Sequence, residues 1–488
     1  MVTSGHLPKG LALLRAKVAS SILRVLRIEG SSMIKITKFG GSSVSSAGQF
    51  KKVKAIVQAD PSRRFVVVSA AGKRDKFDSK ITDLLYLVNA HLQYHVTCDD
   101  LLGTIGQRFC EIAKELNLSY PISHEFGIFR ELAKRGEYTP EYIVSRGEYF
   151  TGRMMAEYLG FPFVDAADVI TFRADSSIDM DKTSEKLKAA IGEEKCFVLP
   201  GFYGATEDGK IKLLDRGGGD ITGAIVAQCL GADLYENWTD VSGFLTADPR
   251  IVDNPKSISR ITYAELRELS YMGASVLHEE AIFPVKDAGI PLVIKNTNAP
   301  DDPGTVISEE TEPGVAEPLI TGIAGKKDFV AIHVKTNHMS SKVGYIRKTL
   351  SIFERYRVSI EHIPTGIDSF AVVVQGSDVK DCLYSIVTDI KSELEPDEIK
   401  IVDRLALIST VGRNMPSRPG TSGRLFGELG HAGINIRMIA QGSEELDIVV
   451  GVDVDDFERA IRVIYGAFVD SDDNIITVEE AEEEATNE

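Results

Sequence analysis

The residues best equipped for chemistry fall in four short stretches. The first is Lys38-Phe39-Gly40-Gly41-Ser42-Ser43-Val44, which follows an apolar run over 34–39 that reads as a strand. Two glycines at a strand-to-helix turn let backbone N–H groups approach an anion, and the helix N-terminus beyond them favours negative charge. A lysine at the strand end adds a mobile positive charge for phosphate. The spacing fits neither a Walker loop nor GxGxxG, and a tight turn beside a surface lysine is the plain alternative. The second stretch is Leu214-Asp215-Arg216-Gly217-Gly218-Gly219-Asp220-Ile221-Thr222. Three glycines before a helix cost stability, which close approach of a ligand would explain. Arg216 can grip a carboxylate with two parallel hydrogen bonds. Asp220 is either an acid of the site or a helix cap. The third, Ser145-Arg146-Gly147-Glu148, opens a predicted helix, where a first-turn glutamate can simply complement the helix dipole. The fourth runs from Trp238 to Arg250 and closes a strand. Thr239 and Asp240 stand where a parallel sheet places ligand contacts, whereas Asp248-Pro249 alone reads as a turn. Together the four stretches point to phosphoryl transfer, in which a protein mainly positions groups and neutralises charge.

Positioning them requires a framework of alternating strands and helices. Short apolar runs over 34–39, 64–69, 163–165, 196–199, 232–238 and 291–295 are separated by helical patterns over 48–60, 148–159 and 219–230. That alternation implies a mainly parallel sheet covered by helices. The pattern changes near residue 300. A turn-rich segment over 298–304 and a Pro/Glu linker over 309–318 precede an internal repeat. Its first copy reads strand 329–335, helix 344–356, strands 359–363 and 369–375, helix 379–390. Its second reads strand 405–411, helix 420–431, strands 434–440 and 446–452, helix 457–468. The order β-α-β-β-α is the ferredoxin-like arrangement.

Composition bounds the rest. The 488 residues are 43% hydrophobic and 26% charged, a globular balance sufficient for several cores. The net charge of −17 argues against a nucleic-acid partner. It does not exclude an anionic substrate, because backbone amides can bind phosphate inside an acidic protein. Part of that charge lies in an acidic tail over 471–488. Five dispersed cysteines without a CxxC pair fit a reducing cytoplasm and predict no metal site. Residues 1–32 carry five basic residues and one acid, too charged for a membrane span. They read as a transit-like leader or, preferably, as an extension ahead of a true start at Met33.

The motifs resemble those of aspartate kinases, in the amino-acid kinase family, from residue 34 to about 469. The matching stretches are KFGGSSV (38–44), SAAG and ITDLL within 69–85, SRGE (145–148), DRGGGDITGA (215–224), WTDVSGFLTADPR (238–250) and VIKNTNAPDDPGT (293–305). The tandem C-terminal units resemble ACT domains. The resemblance implies an amino-acid kinase α/β domain over 33–308 with a mainly parallel central sheet, then two ferredoxin-like ACT units over 319–395 and 400–470. It implies transfer of phosphate from ATP, with Mg²⁺, to the side chain of L-aspartate, giving 4-phospho-L-aspartate on the way to lysine, threonine and methionine. By matched position, Lys38, Arg216 and Asp220 are catalytic. Ser69, Thr82, Glu148 and Arg216 hold aspartate, with Glu148 on its ammonium and Arg216 on a carboxylate. Lys38, Gly40, Gly41, Ser42, Thr239, Asp240, Leu245, Arg250 and Ser275 line the nucleotide. Two positions depart from the family pattern. Met272-Gly273-Ala274-Ser275-Val276-Leu277-His278 has serine where a nucleotide-contacting lysine is expected, and Leu245 replaces a tyrosine. Lys295 or Arg250 is the candidate replacement for that lysine. The charged stretch over 73–80 reads as a mobile loop near the substrate or as a plain solvated loop.

The resemblance also implies feedback control by an end-product amino acid, lysine or threonine, bound at the ACT units of a homodimer or larger homo-oligomer. The first unit's turn offers His338, Met339, Ser340 and Gly344 ahead of a helix N-terminus suited to an effector carboxylate. Asp368 and Ser369 join them from a neighbouring hairpin. A kinase for N-acetylglutamate or glutamate is the nearest rival, disfavoured by Glu148, Arg216 and the paired ACT units. A non-catalytic amino-acid sensor is the rival from another class. No membrane partner is expected.

Overall fold

The computed structural model describes residues 33–192, 195–215, 217–274, 277, 279–309, 317–470 and 475–476. The expected leader, Arg216, Ser275 and all of the acidic tail except 475–476 lie outside these residues. The chain divides into two compact units, one of Met1–Asp240 with Glu280–Pro300, the other of Val241–Glu279 with Asp301–Glu488.

The first unit is built on parallel strands β1 (Lys35–Phe39), β2 (Phe65–Val68), β3 (Phe197–Pro200), β4 (Leu234–Thr239) and β5 (Leu292–Asn296), in the order β3-β2-β1-β4-β5. The valine run of β2 is buried throughout, as a strand covered on both faces must be. Helices α1 (Ala47–Ala59), α2 (Ile81–Gln93), α3 (Asp99–Leu116) and α4 (Pro140–Leu159) share one core with it, around Phe39, Phe50, Val66, Phe109 and Phe150. Helix α5 (Gly218–Leu230) follows the second glycine loop. The register pairs Phe39 with both Val68 and Trp238, and Trp238 with Lys295, so the carboxyl ends of four strands finish level. Trp238, the only tryptophan, is fully buried. Its ring stacks on Phe39 at 6.0 Å between centroids and lies 5.2 Å from the Arg63 guanidinium and 5.6 Å from Lys295 Nζ.

Two expectations change here. The run over 163–165 forms a single bridge, Phe163 to Val198, because Asp165 turns away to cap the short helix Ala166–Val169. The helix carrying SRGE starts well before Glu148. Thr139 caps it by accepting from the Tyr142 N–H and Pro140 occupies its first turn, a favoured arrangement.

In the second unit, α6 (Tyr263–Tyr271) precedes an antiparallel sheet of β6 (Gly322–Lys335), β7 (Ser369–Gln375), β8 (Glu398–Val411), β9 (Met438–Gln441) and β10 (Asp447–Asp453), ordered β7-β6-β8-β10-β9. Strands β6 and β8 are both 14 residues long, twice the length read from sequence. They pair from Gly322 opposite Val411 to Lys335 opposite Glu398, with a register shift between Lys326 and Phe329. Only residues 329–335 of β6 also pair with β7, and only residues 405–411 of β8 also pair with β10. Each repeat therefore lends half of its first strand to the sheet of the other. Helices α7 (Tyr345–Arg355) and α8 (Leu383–Leu394) cover one core, and α9 (Thr421–His431) and α10 (Phe457–Phe468) cover the second. The expected strand over 359–363 is reduced to bridges at His362 and Thr365, interrupted at Pro364, which has no N–H to donate.

Candidate active site

The site is assembled at the carboxyl ends of the parallel strands. Lys38 is 6% exposed near the end of β1, and its Nζ lies 2.5 Å from Asp220 Oδ1 in the first turn of α5. Asn237, one strand across on β4, donates from Nδ2 to the same oxygen at 2.8 Å, and its Oδ1 accepts from Lys38 Nζ at 3.4 Å. Tyr235 donates its hydroxyl to the Asp220 carbonyl at 3.0 Å. A buried ion pair is tolerated when further hydrogen bonds satisfy it, and Asn237 supplies one here. Sequence reasoning singled out Lys38 and Asp220 but missed Asn237. Its signal was a polar side chain inside an otherwise buried strand.

Both glycine loops pack closely against the 69–72 segment. A methyl group on Gly219 would sit 2.8 Å from Ser69 Oγ and 3.4 Å from Lys38 Cε. One on Gly72 would sit 2.5 Å from the Gly41 carbonyl carbon and 2.8 Å from the Ser42 nitrogen. The Gly40 N–H donates to the Trp238 carbonyl at 2.9 Å, and Gly72 N–H to the Gly41 carbonyl at 2.8 Å. Gly41 and Ser42 begin a one-turn helix over Gly41–Val44, and Ser43 beside them bonds Thr297 at 2.7 Å. Lys38, Gly40, Gly41, Ser42, Ser69 and Asp220 thus border one region.

Glu148 lies beneath it, in the interior of α4 and 4% exposed. Its Oε2 has no hydrogen-bond partner. Burial pushes its carboxyl up to about 8, against the opposing pull of the Ala70 backbone and of Arg146. Gly147 backs onto Ala70, where a methyl would meet Ala70 Cβ at 2.9 Å. Thr82 is in the first turn of α2, whose leading residue Ile81 donates its N–H to the Ala71 carbonyl at 3.1 Å. The 69–72 segment therefore links Ser69, Glu148 and Thr82.

Thr239 ends β4 half-buried, with its hydroxyl 3.2 Å from Asp240 Oδ1. In the second unit, Leu245 is exposed and bridges to Ser257. The Arg250 side chain is 87% exposed and bonded to Asp248 at 2.6 Å, so its charge is already engaged. Among the described residues no cluster of three or more His, Cys, Asp or Glu could hold a metal ion.

The profile of the Amino acid kinase family matches residues 33–296, and that of the ACT domain matches 408–468. Aspartokinase 3 of Bacillus subtilis is 35% identical over 449 residues, covering 89% of this chain and 98% of that one. The chain belongs to the aspartokinases. The crystal structure of the Clostridium acetobutylicum aspartate kinase superposes with a TM-score of 0.84 at 47% identity, covering 90% of this chain and all of that one. Aspartokinase III of E. coli is 25% identical in two structures. One, in complex with aspartate and ADP, gives a TM-score of 0.67 over 89% of this chain and 99% of that one. The other, with lysine and aspartate, gives 0.70 over 90% and 100%. As an aspartokinase, the chain phosphorylates L-aspartate at the entry to lysine, threonine and methionine synthesis and is allosterically regulated. Its second substrate is a nucleotide.

The effector candidates of the aspartokinase also lie side by side. His338 adopts a left-handed φ of 59°, and its carbonyl accepts the Ser341 hydroxyl at 2.8 Å. Met339 is buried and Ser340 exposed. Gly344, at φ 78°, opens α7. The Asp368 carbonyl accepts the Thr336 N–H at 2.9 Å, and Ser369 pairs in register with Lys335. The turn after β6 and the entry to β7 are therefore adjacent.

Proposed function

We propose that Lys38 reaches the β- and γ-phosphates of ATP, that Glu148 receives the ammonium of aspartate, and that Asp220 holds the lysine in place. The observation that carries this reading is the orphan oxygen of Glu148. A buried carboxyl oxygen without a hydrogen-bond partner is costly, and an incoming ammonium would compensate it. A side-chain carboxylate oxygen of aspartate attacks the γ-phosphorus, the bond to the β,γ-bridging oxygen breaks, and ADP leaves with that electron pair. The nucleophile is already ionised near neutral pH, so no general base is needed. The lysine and the backbone amides of Gly41 and Ser42 stabilise charge on the transferring group. Mg²⁺ carried with ATP would relieve repulsion between triphosphate and carboxylate. Arg216 binds a carboxylate of aspartate, with Ser69 and Thr82 as neighbouring polar contacts. Gly40, Gly41, Ser42, Thr239, Asp240, Leu245, Arg250 and Ser275 are the nucleotide contacts that the resemblance implies.

We further propose lysine as the effector, bound by His338, Met339, Ser340, Gly344, Asp368 and Ser369, in a cytoplasmic homodimer. Exposed Val343 and Ile367 beside that turn supply apolar surface for such pairing. The kinase reading is tested by trapping aspartyl phosphate as its hydroxamate with ATP, Mg²⁺ and L-aspartate. Product from the parent chain and its loss in Lys38→Ala are expected. No product from the parent refutes the reading, and full activity in the variant refutes only the lysine's role.

A further inference from the structure

Helix α3 takes no part in the site, yet it buries a charge there. Arg108 is 2% exposed. Its Nη2 donates to the Gly72 carbonyl at 2.5 Å and its Nη1 to the Ser79 carbonyl at 2.6 Å. Asp78 Oδ2 lies 3.4 Å from Nη2 and is itself bonded by Arg74 at 2.9 Å. We propose that Arg108 is a positioning residue for the phosphoryl transfer, clamping both ends of the 72–79 loop and thereby seating the phosphate turn and the aspartate helix together.

The two clamped points are the ones that matter. Gly72 touches the backbone of Gly41 and Ser42 and bonds the Gly41 carbonyl. Ser79 lies three residues before Thr82, at the entrance to α2. Between them the chain is exposed from Lys73 to Phe77, and besides bonds within the loop through Asp75 and Asp78 its described tie to α3 other than Arg108 is the exposed pair Arg74–Glu111 at 3.3 Å. The guanidinium makes its bonds through its two terminal nitrogens, and its buried Nε has no hydrogen-bond partner. Burial disfavours its charge, while Asp78 opposes that effect. If filling space were its task, an apolar side chain of similar volume would serve at least as well. A planar fork that reaches two carbonyls on different segments is what arginine alone provides. The loop read from sequence as mobile is tethered at both ends.

This inference rests on the aspartate kinase reading for its kinetic arm only. Arg108→Met is expected to raise KM for aspartate about tenfold or more, the scale of a lost charge-assisted hydrogen bond. Trypsin should cut within 73–80, at Lys73, Arg74, Lys76 or Lys80, correspondingly faster, and ATP with aspartate should no longer protect those bonds. Arg108→Lys, which can reach one carbonyl, should fall between the two. Phe109→Leu, the adjacent core residue on α3, supplies a matched loss of stability and should change neither KM nor cleavage. Parental KM and cleavage in folded Arg108→Met overturn the clamp, as does Phe109→Leu reproducing both effects. If Arg108→Met does not fold, parental values in Arg108→Lys overturn it. If the parent makes no aspartyl hydroxamate, the kinase reading fails while the cleavage rates still decide the clamp.

Discussion

At the scale of single residues, Glu148 sets a pH dependence whose sign follows from its burial. Its carboxyl is raised from 4.5 to about 8, so between those values the folded chain holds a proton that the unfolded chain has lost. Its contribution to stability therefore falls as pH rises through that window. An ammonium at Oε2 favours the carboxylate form, so aspartate binding below about pH 8 should expel a proton. KM for aspartate should fall from about pH 6.5 towards 8.5, and calorimetric binding heats should differ between buffers of unlike ionisation enthalpy. Glu148→Gln should raise that KM by roughly ten- to a hundredfold and flatten its pH profile. A flat profile in the parent would count against the assignment. Gly72 makes a steric prediction. Its missing methyl would strike the Gly41 backbone, which cannot rotate aside, so Gly72→Ala should lower kcat/KM for ATP by at least about tenfold. The sequence placed this glycine at the end of the SAAG match but gave no sign of its steric role, because its constraint comes from a loop some 30 positions earlier. Glu148 was legible as a motif member but not in its setting. The sequence suggested a first-turn glutamate and a dipole, whereas Thr139-Pro140 starts the helix earlier and leaves Glu148 enclosed.

At the scale of elements, α6 is tied at its start to the sheet that follows it. Thr262 and Glu265 form a reciprocal capping box. Glu265, fully buried, also accepts from Thr321 at 2.5 Å and from Arg413 Nη1 at 2.6 Å. Removing one member of a buried pair costs about 3–5 kcal/mol, whereas losing an N-cap costs about 1 kcal/mol. Glu265→Ala should therefore lower the unfolding midpoint of this unit several times more than Thr262→Ala. Equal midpoints by calorimetry would remove the long-range pair from the account. The capping box at Thr262-Tyr263-Ala264-Glu265 went unread in the sequence although it fits the S/T-x-x-E pattern, and the partners of Glu265 lie more than 50 positions away. Boundaries show the same division. Strands β1, β2, β4 and β5 were read to within about two residues, since their apolar runs are continuous. The runs over 163–165 and 359–363 have the right composition but lack a ladder, because capping and proline chemistry next to them intervene.

At the scale of the whole molecule, the repeat was visible in sequence as two successive β-α-β-β-α units, and its interlocking was not. The exchanged halves of β6 and β8 look like connecting segments until they meet each other. Two units sharing strands in this way cannot be separated cleanly. A fragment over 319–395 lacks residues 398–402 of β8 that complete the sheet beside β6, and an isolated edge of that length invites association. It should be aggregation-prone and poorly dispersed by NMR, whereas a fragment over 319–470 should fold in one cooperative transition. A stable, monomeric 319–395 fragment would show that the shared strands are dispensable. Among the described residues no helix is long and apolar enough to cross a membrane.

The position of Trp238 has an optical consequence. It is the sole tryptophan, it is sealed from solvent, its carbonyl anchors Gly40, and its ring lies against Arg63 and Lys295. Excitation selective for indole will therefore report from one known place, directly beneath the phosphate turn. Shifts in the neighbouring charges as that turn closes on a nucleotide will register as changes in emission intensity. Rapid-mixing fluorescence can then time nucleotide arrival and departure on the unlabelled chain, with no background from a second chromophore of the same kind.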